Sequence, residues 1–467
     1  MVTANGDAME NLIVVSVDSH AQAPPEAWPE YLEPRYHEYL PSLHEENEAY
    51  TTVMGSLAHR VVGTPDALAV YDKERRYRDG GFRGIWDADL RLEEMDREGI
   101  AGEFVYHGDH RATAIFHNVF NRKYDLEVCE AGVRAYHRWA ADTFGAARDR
   151  IFLVAAGSAG IDMGATLAEL EWISDHGFRG TYAPGFISYP GIPPLFDEYW
   201  EPVWTLCEER GLPLFIHAGF GSQQGLLFPL VERIKAELDA AGSAVEQAVE
   251  RIRKEVFTTD FFADVKPRRP MWQLMLGGVF DRHPNLRLVM TEVRADWMPA
   301  TLRYLDAVYE LHRADLPATR MPTEYWHSNC LTSLSFVHRA EVEMRHELGI
   351  ETLAFGRDYP HTEGTWPNTK AWLRDAFSRV PDNELRLILG ENAVRVLGLD
   401  RAKLAEVATR IGPTIDSVNG TAAAVDPALV AHFDLRGGYL KPAEGDAKLA
   451  AIIEMVSEDL VRAGIDV

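Results

Sequence analysis

Short apolar runs alternate with longer amphipathic segments along most of the chain. Runs of this kind are typical of buried strands in a parallel sheet, and the segments between them have the periodicity of helices. One such segment, 87–99, begins with an aspartate that can cap a helix and ends with a glycine that can stop one. The runs predict eight strands, at residues 12–18, 101–107, 151–156, 178–183, 213–218, 286–292, 325–331 and 352–358.

Eight strands joined by helical crossovers predict an α/β fold, a (β/α)₈ TIM barrel rather than an open sheet. Two long insertions, 21–86 and 219–269, interrupt the alternation. Each follows the C-terminal end of a strand, the face on which barrel active sites are built, so we expect the two insertions to form a lid. The barrel is predicted to span 11–399. A C-terminal helical extension, 400–467, is expected to pack on the barrel's flank or on a neighbouring subunit.

Composition narrows the classes of function. The 467 residues include 47 Lys and Arg against 72 Asp and Glu, a formal charge of −25, which argues against nucleic acid or an anionic membrane surface as a partner. The cysteines, Cys129, Cys207 and Cys330, are far apart, which predicts neither a disulfide framework nor a thiolate zinc site. With no signal-peptide pattern and no long apolar run, we expect a cytoplasmic protein.

Histidines and aspartates stand at the ends of three predicted strands. Asp18 and His20 alternate at the end of the first, so both side chains should point to the same face. His217 ends the fifth and Asp358 the eighth. A single histidine at a strand end is more often structural, but two carboxylates and two imidazoles converging on a barrel mouth suit Zn²⁺, Mn²⁺ or Fe²⁺.

Several motifs accompany these residues: Asp18-x-His20, His217 before Ala-Gly, and the segments 277–289, 357–364 and 390–399. Together they resemble the aminocarboxymuconate-semialdehyde decarboxylase-related branch of the amidohydrolase superfamily over residues 11–399. The resemblance implies that Asp18, His20, His217 and Asp358 are the metal ligands. It does not name the reaction, since relatives include decarboxylases, hydrolases and hydratases.

The chain departs from that branch at two strand ends. Decarboxylases of the branch usually have a catalytic histidine after strand 5 or 6, but here strand 6 ends in Thr291 and Glu292. Binuclear hydrolases of the superfamily have a carboxylated lysine on strand 4, and the predicted strand 178–183 contains no lysine. A hydrolytic two-metal site of that type is therefore disfavoured.

Four further residues could extend the ligand set: His107, His110, Glu292 and His361. Eight imidazoles and carboxylates are enough for two metals, and a mixed set without thiolate suits iron that binds dioxygen. Alternatively, His107 and His110 only form hydrogen bonds to the lid or orient the ligands. The sequence does not decide between these two roles for His107 and His110.

The same features resemble a smaller subgroup, the TIM-barrel nonheme diiron monooxygenases of platensimycin and platencin biosynthesis and their relatives. The resemblance implies two iron ions, with Asp18, Glu292 and Asp358 as catalytic candidates. It also implies a diterpenoid-type acyl-CoA substrate of secondary metabolism, dioxygen, and an electron donor that the sequence does not identify. Lys266, Arg268 and Arg269 could pair with CoA phosphates or form a solvated surface patch.

The monooxygenase is the leading sequence-based hypothesis, and we expect a homo-oligomer. The alternative is a mononuclear decarboxylase or hydrolase that holds a single Zn or Mn ion through the first four ligands. A barrel that has lost catalysis and only binds a partner is disfavoured, because the ligands at the strand ends are intact.

Overall fold

A computed structural model describes residues 11–58, 65–108, 115–158, 160–257, 265–294, 297–335, 339–361, 364–420, 424–438 and 445–466. Its centre is a barrel of eight parallel strands: β1 Val15–Ser16, β2 Gly102–His107, β3 Ile151–Ala155, β4 Gly180–Tyr182, β5 Leu214–Ile216, β6 Leu288–Met290, β7 Cys330–Ser335 and β8 Leu353–Gly356. β1 pairs with both β2 and β8, at Val15↔Gly102 and Ser16↔Phe355, which closes the sheet. The predicted TIM barrel is confirmed.

Helices surround the strands. The longer ones are Leu40–Ala58, Pro65–Tyr71, Ala88–Glu98, Leu126–Phe144, Met163–Asp175, Glu201–Arg210, Phe228–Ala241, Val245–Phe257, Arg269–Leu276, Met298–His312, Pro322–Asn329, Thr369–Phe377, Arg401–Ile411, Pro427–Gly438 and Gly445–Arg462. Asp87 accepts a hydrogen bond from the Leu90 amide and Gly99 ends the same helix in the left-handed conformation, as predicted. Within the described ranges, no helix combines the length and apolar content needed to cross a bilayer.

The prediction for the seventh strand is wrong. Residues 322–329 form a helix, and β7 begins only at Cys330. Pro322, Tyr325, Trp326 and Asn329 are buried, while the positions between them are partly or fully exposed. Their spacing is that of one helical face, and a proline in the first turn fits a helix start. The run predicted as a strand at 325–331 is therefore the end of a helix followed by the first residues of β7.

The barrel interior is filled by alternate side chains of the strands. Phe104, Phe152, Phe215 and Val289 are almost completely buried and belong to one apolar cluster with Val15 and Leu331. Because this core leaves no channel through the barrel, the chemistry must lie at the rim. The C-terminal rim, where the strands end, holds the polar side chains described below.

Helices from the two insertions pack against each other. Leu40–Ala58, from the first insertion, contacts Phe228–Ala241 and Val245–Phe257, from the second. Their contact contains Ala49, Val53, Val231, Ile234 and Ile252, all buried in one apolar cluster. The insertions therefore form a single helical layer, and its role as a lid stays a prediction.

The C-terminal extension packs on the flank of its own barrel. Gly445–Arg462 lies against Arg269–Leu276 and Met298–His312. Asp459, almost completely buried, accepts hydrogen bonds from Arg269, Trp272 and Gln273. The sequence left open whether the extension packs on the barrel's flank or on a neighbouring subunit, and the described residues show contact with the flank.

Two residues of the basic cluster suggested to bind CoA phosphates, Arg268 and Arg269, make contacts inside the fold instead. Arg269 forms an ion pair with Asp459 at 2.6 Å, and Arg268 is buried, its guanidinium 4.5 Å from the centre of the Trp297 ring. Arg268 and Arg269 are thus neither a solvated patch nor open to a phosphate. The suggested CoA contact is not supported.

Asp459→Asn is expected to lower the free energy of unfolding by about 2 kcal/mol, because hydrogen bonds from a charged partner are lost inside a buried contact. Denaturant unfolding measures the change. Glu458→Gln is the control, because this carboxylate also approaches Arg269, at 3.3 Å, but is largely exposed. Equal stability of the two variants would contradict the prediction.

Candidate metal centre

Four side chains from three strand ends meet at the C-terminal rim: Asp18 and His20 after β1, His217 after β5 and Asp358 after β8. An Asp18 oxygen lies 3.7 Å from His20 Nε2 and 3.6 Å from His217 Nε2. An Asp358 oxygen lies 3.2 Å from His20 Nε2. All four are buried. The geometric expectation from the sequence, that these residues converge on one point, agrees with their placement.

Backbone contacts aim both imidazoles at this point. His20 Nδ1 lies 3.3 Å from the His107 carbonyl oxygen, and His217 Nδ1 lies 3.1 Å from that of Ala218. A ring that donates through Nδ1 presents the Nε2 lone pair to the opposite side. Within the described residues, neither Nε2 atom makes a hydrogen bond. Two buried nitrogens aimed at carboxylates are what a metal cation would require.

The two imidazoles differ in their electrostatic surroundings. Burial, together with the neighbouring His361 and His217, lowers the pKa of His20 well below its usual value. Burial alone would also lower the pKa of His217, but the carboxylates of Glu292 and Asp18 raise it to about 9. His20 is therefore neutral and ready to bind a cation, whereas a cation bound by His217 would displace a proton.

Unusual backbone conformations place two of the carboxylates. Asp358 and Glu292 both have positive φ angles, 51° and 55°. Such angles are uncommon for residues other than glycine and often occur at functional sites. The Asp358 amide donates to the Asp18 carbonyl oxygen at 2.8 Å, which ties the end of β8 to the end of β1.

Glu292 and His361 join the same cluster. Glu292 lies 3.3 Å from His217 Nε2, and His361 Nδ1 lies 3.1 Å from an Asp358 oxygen. The ring of His361 stacks on that of His20 at 3.9 Å. Potential ligand atoms lie within 4.8 Å of one another in two groups, Asp18–His20–His217 and His20–Asp358–His361. The structure thus brings together six of the eight ligand candidates.

The remaining two candidates do not join them. His107 is outside both groups of potential ligands found among the described residues. Its ring packs edge-on against Tyr182, Phe186 and Tyr136 at 5.3–5.8 Å. His107 as an iron ligand is therefore not supported, and its carbonyl orients His20 instead. His110 lies outside the described residues.

A buried ionic network lies beneath the centre and was not predicted from the sequence. Glu103, on β2, accepts hydrogen bonds from Arg91, from Arg357 and from the Ser19 hydroxyl. Arg91 also donates to the His20 carbonyl oxygen at 2.7 Å. The network thus holds the segment after β1, through Ser19 and His20, and the segment after β8, through Arg357. Its only signal in the sequence is a glutamate inside an otherwise apolar strand.

This network predicts a loss of stability in acid. Although burial alone would raise it, the two arginines lower the pKa of Glu103 from an ordinary value of 4.5 to about 2. A carboxyl group with a lowered pKa stabilises the fold above pH 4.5, and this contribution, about 3 kcal/mol, disappears as the pH falls towards 2. Urea unfolding at several pH values should show this slope, and Glu103→Gln should reduce it. An unchanged slope in the variant would contradict the assignment.

The donor set fits a divalent metal. Imidazole nitrogens with carboxylate oxygens and no thiolate are the ligands of mononuclear zinc and manganese sites in enzymes. A family model described as amidohydrolase matches residues 17–399. The chain belongs to the amidohydrolase family. Among curated proteins, none matches it. The expected membership of the amidohydrolase superfamily is confirmed. The resemblance to diiron monooxygenases is not supported.

Solved structures share the fold of this amidohydrolase. An amidohydrolase from Mycobacterium avium subsp. paratuberculosis K-10 has a TM-score of 0.56 and 18% identity, covering 84% of this chain and 100% of its own. The 5-carboxyvanillate decarboxylase of Sphingomonas paucimobilis has a TM-score of 0.51 and 19% identity, and the match covers 83% of this chain and 99% of that one. The 5-carboxyvanillate decarboxylase of Novosphingobium aromaticivorans, solved with bound manganese, has a TM-score of 0.54 and 17% identity, and the match covers 84% of this chain and 99% of that one. At these identities the likeness concerns the fold.

Proposed function

We propose that this amidohydrolase is a metal-dependent decarboxylase that acts on a carboxylic acid, with one Mn²⁺ or Zn²⁺ held by Asp18, His20, His217 and Asp358. The observation that carries the proposal is the convergence of these four buried groups, with two Nε2 atoms that lack a hydrogen bond in the described structure. A bound cation would supply the positive charge that holds the substrate carboxylate and stabilises the negative charge left when carbon dioxide departs.

The chain's own residues supply the remaining functions. Replacement of the carboxylate by hydrogen requires a proton at the carbon that loses carbon dioxide. Decarboxylases of the branch that the sequence resembles usually have a catalytic histidine after strand 5 or strand 6. Glu292 follows β6 here, and its carboxylate lies 3.3 Å from His217 Nε2. We assign proton delivery to Glu292, which would give up the proton as a carboxylic acid and return to the carboxylate. Its side chain is only 9% exposed and lies beside His217, so it has little contact with bulk water.

Two structural neighbours support an aromatic acid as the substrate class. The proteins from Sphingomonas paucimobilis and Novosphingobium aromaticivorans are 5-carboxyvanillate decarboxylases, and the second was solved with manganese. An aromatic side chain also lies beside this centre, since the Tyr106 ring lies 5.5 Å from that of His217 and 6.1 Å from that of His20. A planar substrate could lie against such walls.

The test combines metal analysis with product detection. The purified protein should contain one Mn or Zn ion per chain and release carbon dioxide from at least one member of a panel of aromatic acids that includes 5-carboxyvanillate. Glu292→Gln should retain the metal but lose about 100-fold in turnover, the size of a general acid–base contribution. A protein that binds no metal, or one that consumes dioxygen instead of releasing carbon dioxide, would overturn the proposal.

A second candidate is the two-iron monooxygenase, which one observation favours. Glu292 and His361 extend the cluster beyond the four ligands of a mononuclear site, and two overlapping groups of ligands share His20. Two iron ions per chain with substrate-dependent uptake of dioxygen would favour this candidate. One ion per chain and no uptake would exclude it.

A further inference from the structure

Three polar side chains form a second buried cluster beside the metal centre: His107 at the end of β2, His117, and Tyr136 on Leu126–Phe144. Each is at most 6% exposed. The centre of the His107 ring lies 6.3 Å from that of His117 and 5.8 Å from that of Tyr136. Within the described part of the chain, the two ring nitrogens of each histidine and the hydroxyl of Tyr136 make no hydrogen bond.

Five buried polar atoms in one place that make no hydrogen bond to any described residue are unusual. Proteins satisfy such atoms with protein groups, ordered water or a ligand, because desolvation without a hydrogen bond is unfavourable. The Tyr106 hydroxyl, for example, contacts both the Val17 carbonyl oxygen and the Thr291 hydroxyl. The cluster is thus set up to receive a polar group from outside the protein.

The cluster is suited to an uncharged group. Burial lowers the pKa of His117 to about 4, so this imidazole is neutral and offers one donor and one acceptor. A neutral hydroxyl or carbonyl oxygen matches this arrangement better than an anion, which would require positive charge.

Flat rings border the cluster and connect it to the metal centre. Tyr182 and Phe186 stack face to face at 4.6 Å, and the His107 ring stands edge-on to both. Tyr106 lies between this pair and the metal centre, because its ring is 5.6 Å from the ring of Tyr182 and 5.5 Å from that of His217. A planar substrate that reaches from the metal to the cluster would lie along these rings.

We propose that His107, His117 and Tyr136 bind a hydroxyl or carbonyl oxygen of the substrate, on the part remote from the carboxylate. The cluster thereby selects oxygenated planar acids over acids that lack this oxygen. This inference rests on the proposed function for the position of the carboxylate, but the hydroxyl preference can be measured independently of turnover.

Calorimetric titration of the Mn²⁺-loaded protein provides the test. The probes are benzoate and cinnamate, each compared with its 2-, 3- and 4-hydroxy derivatives. At least one hydroxylated probe should bind about 10-fold more tightly than its parent, the effect of one good hydrogen bond. Tyr136→Phe or His117→Leu should remove most of that preference and leave the affinity for the parent acid unchanged. No preference in the wild type, or a preference that survives both variants, would overturn the proposal.

Thermal unfolding gives a second, independent measurement. Tyr136→Phe and His117→Leu remove polar atoms that make no hydrogen bond to the residues that the structure describes, so the ligand-free variants should unfold at the wild-type temperature or above it. Tyr71→Phe is the matched control, because the buried Tyr71 hydroxyl donates to the Trp366 carbonyl oxygen at 3.0 Å. It should lower the unfolding temperature and keep the hydroxyl preference. If Tyr136→Phe and His117→Leu destabilise as Tyr71→Phe does, the cluster is structural and the proposal is wrong.

The design separates the two proposals. If benzoate and cinnamate bind equally well with and without Mn²⁺, the proposed function fails. A hydroxyl preference that depends on Tyr136 would support the cluster even then. If the parent acids require Mn²⁺ but hydroxylation changes nothing, the proposed function stands and the cluster is overturned.

Discussion

Asp18→Asn is expected to weaken metal binding by about 100-fold or more. Loss of a partner that merely orients a ligand weakens metal binding 10- to 100-fold, and Asp18 itself lies within 3.7 Å of both His20 and His217. Asparagine keeps the shape of the side chain but not its negative charge. Since Glu292 remains 3.3 Å from His217, the metal-free variant should unfold close to the wild-type temperature.

Thermal unfolding with and without metal measures this effect. At a metal concentration of about 100 times the wild-type Kd, the ion should add about 2.7 kcal/mol of stability, and about 0.4 kcal/mol if the affinity falls 100-fold. Asp175→Asn is the control, because this exposed carboxylate pairs only with Arg210 among the described contacts. It should retain the full stabilisation. Equal stabilisation of Asp18→Asn would contradict the assigned site.

Glu103→Gln is expected to lower the free energy of unfolding by about 3–5 kcal/mol, because it leaves two buried guanidinium groups without their counter-charge. Arg91 and Arg357 are both fully buried and both donate to this carboxylate. Weaker metal binding should accompany the loss, since Arg91 also holds the His20 carbonyl oxygen.

Urea unfolding near neutral pH measures the Glu103→Gln effect against a surface control. Glu237→Gln removes an ion pair with Arg233 and Arg251 on the exterior, where solvent screens the charges, and should leave stability unchanged. A Glu103 variant as stable as this control would show that the network contributes little to the fold.

The sequence predicted the parts of the structure that depend on local patterns. Apolar runs located the barrel strands apart from β7, and the alternation of Asp18 and His20 on one strand predicted their common direction. Convergence of His217 and Asp358 followed from the topology, because all strands of a parallel barrel end on the same rim. The four central ligand candidates could therefore be named without coordinates.

Features that depend on packing between distant segments could not be predicted. His107 stands at the C-terminal end of a barrel strand, as His217 does. Its neighbours, however, are the rings of Tyr136, Tyr182 and Phe186 rather than the carboxylates of the metal centre. The position of the C-terminal extension likewise depends on Asp459, whose buried partners are nearly 190 positions away. No pattern within either segment contains that information.

The hydrogen bond between Asp358 and Asp18 joins the first barrel strand to the last. A cation bound between these carboxylates would span the seam at which the cylinder closes. Segments 340 positions apart in the chain must meet before it can bind, so ion uptake would report the closure of this seam. The same ion would slow the opening of that seam, and the holoprotein would then persist in denaturant mainly through a smaller unfolding rate constant.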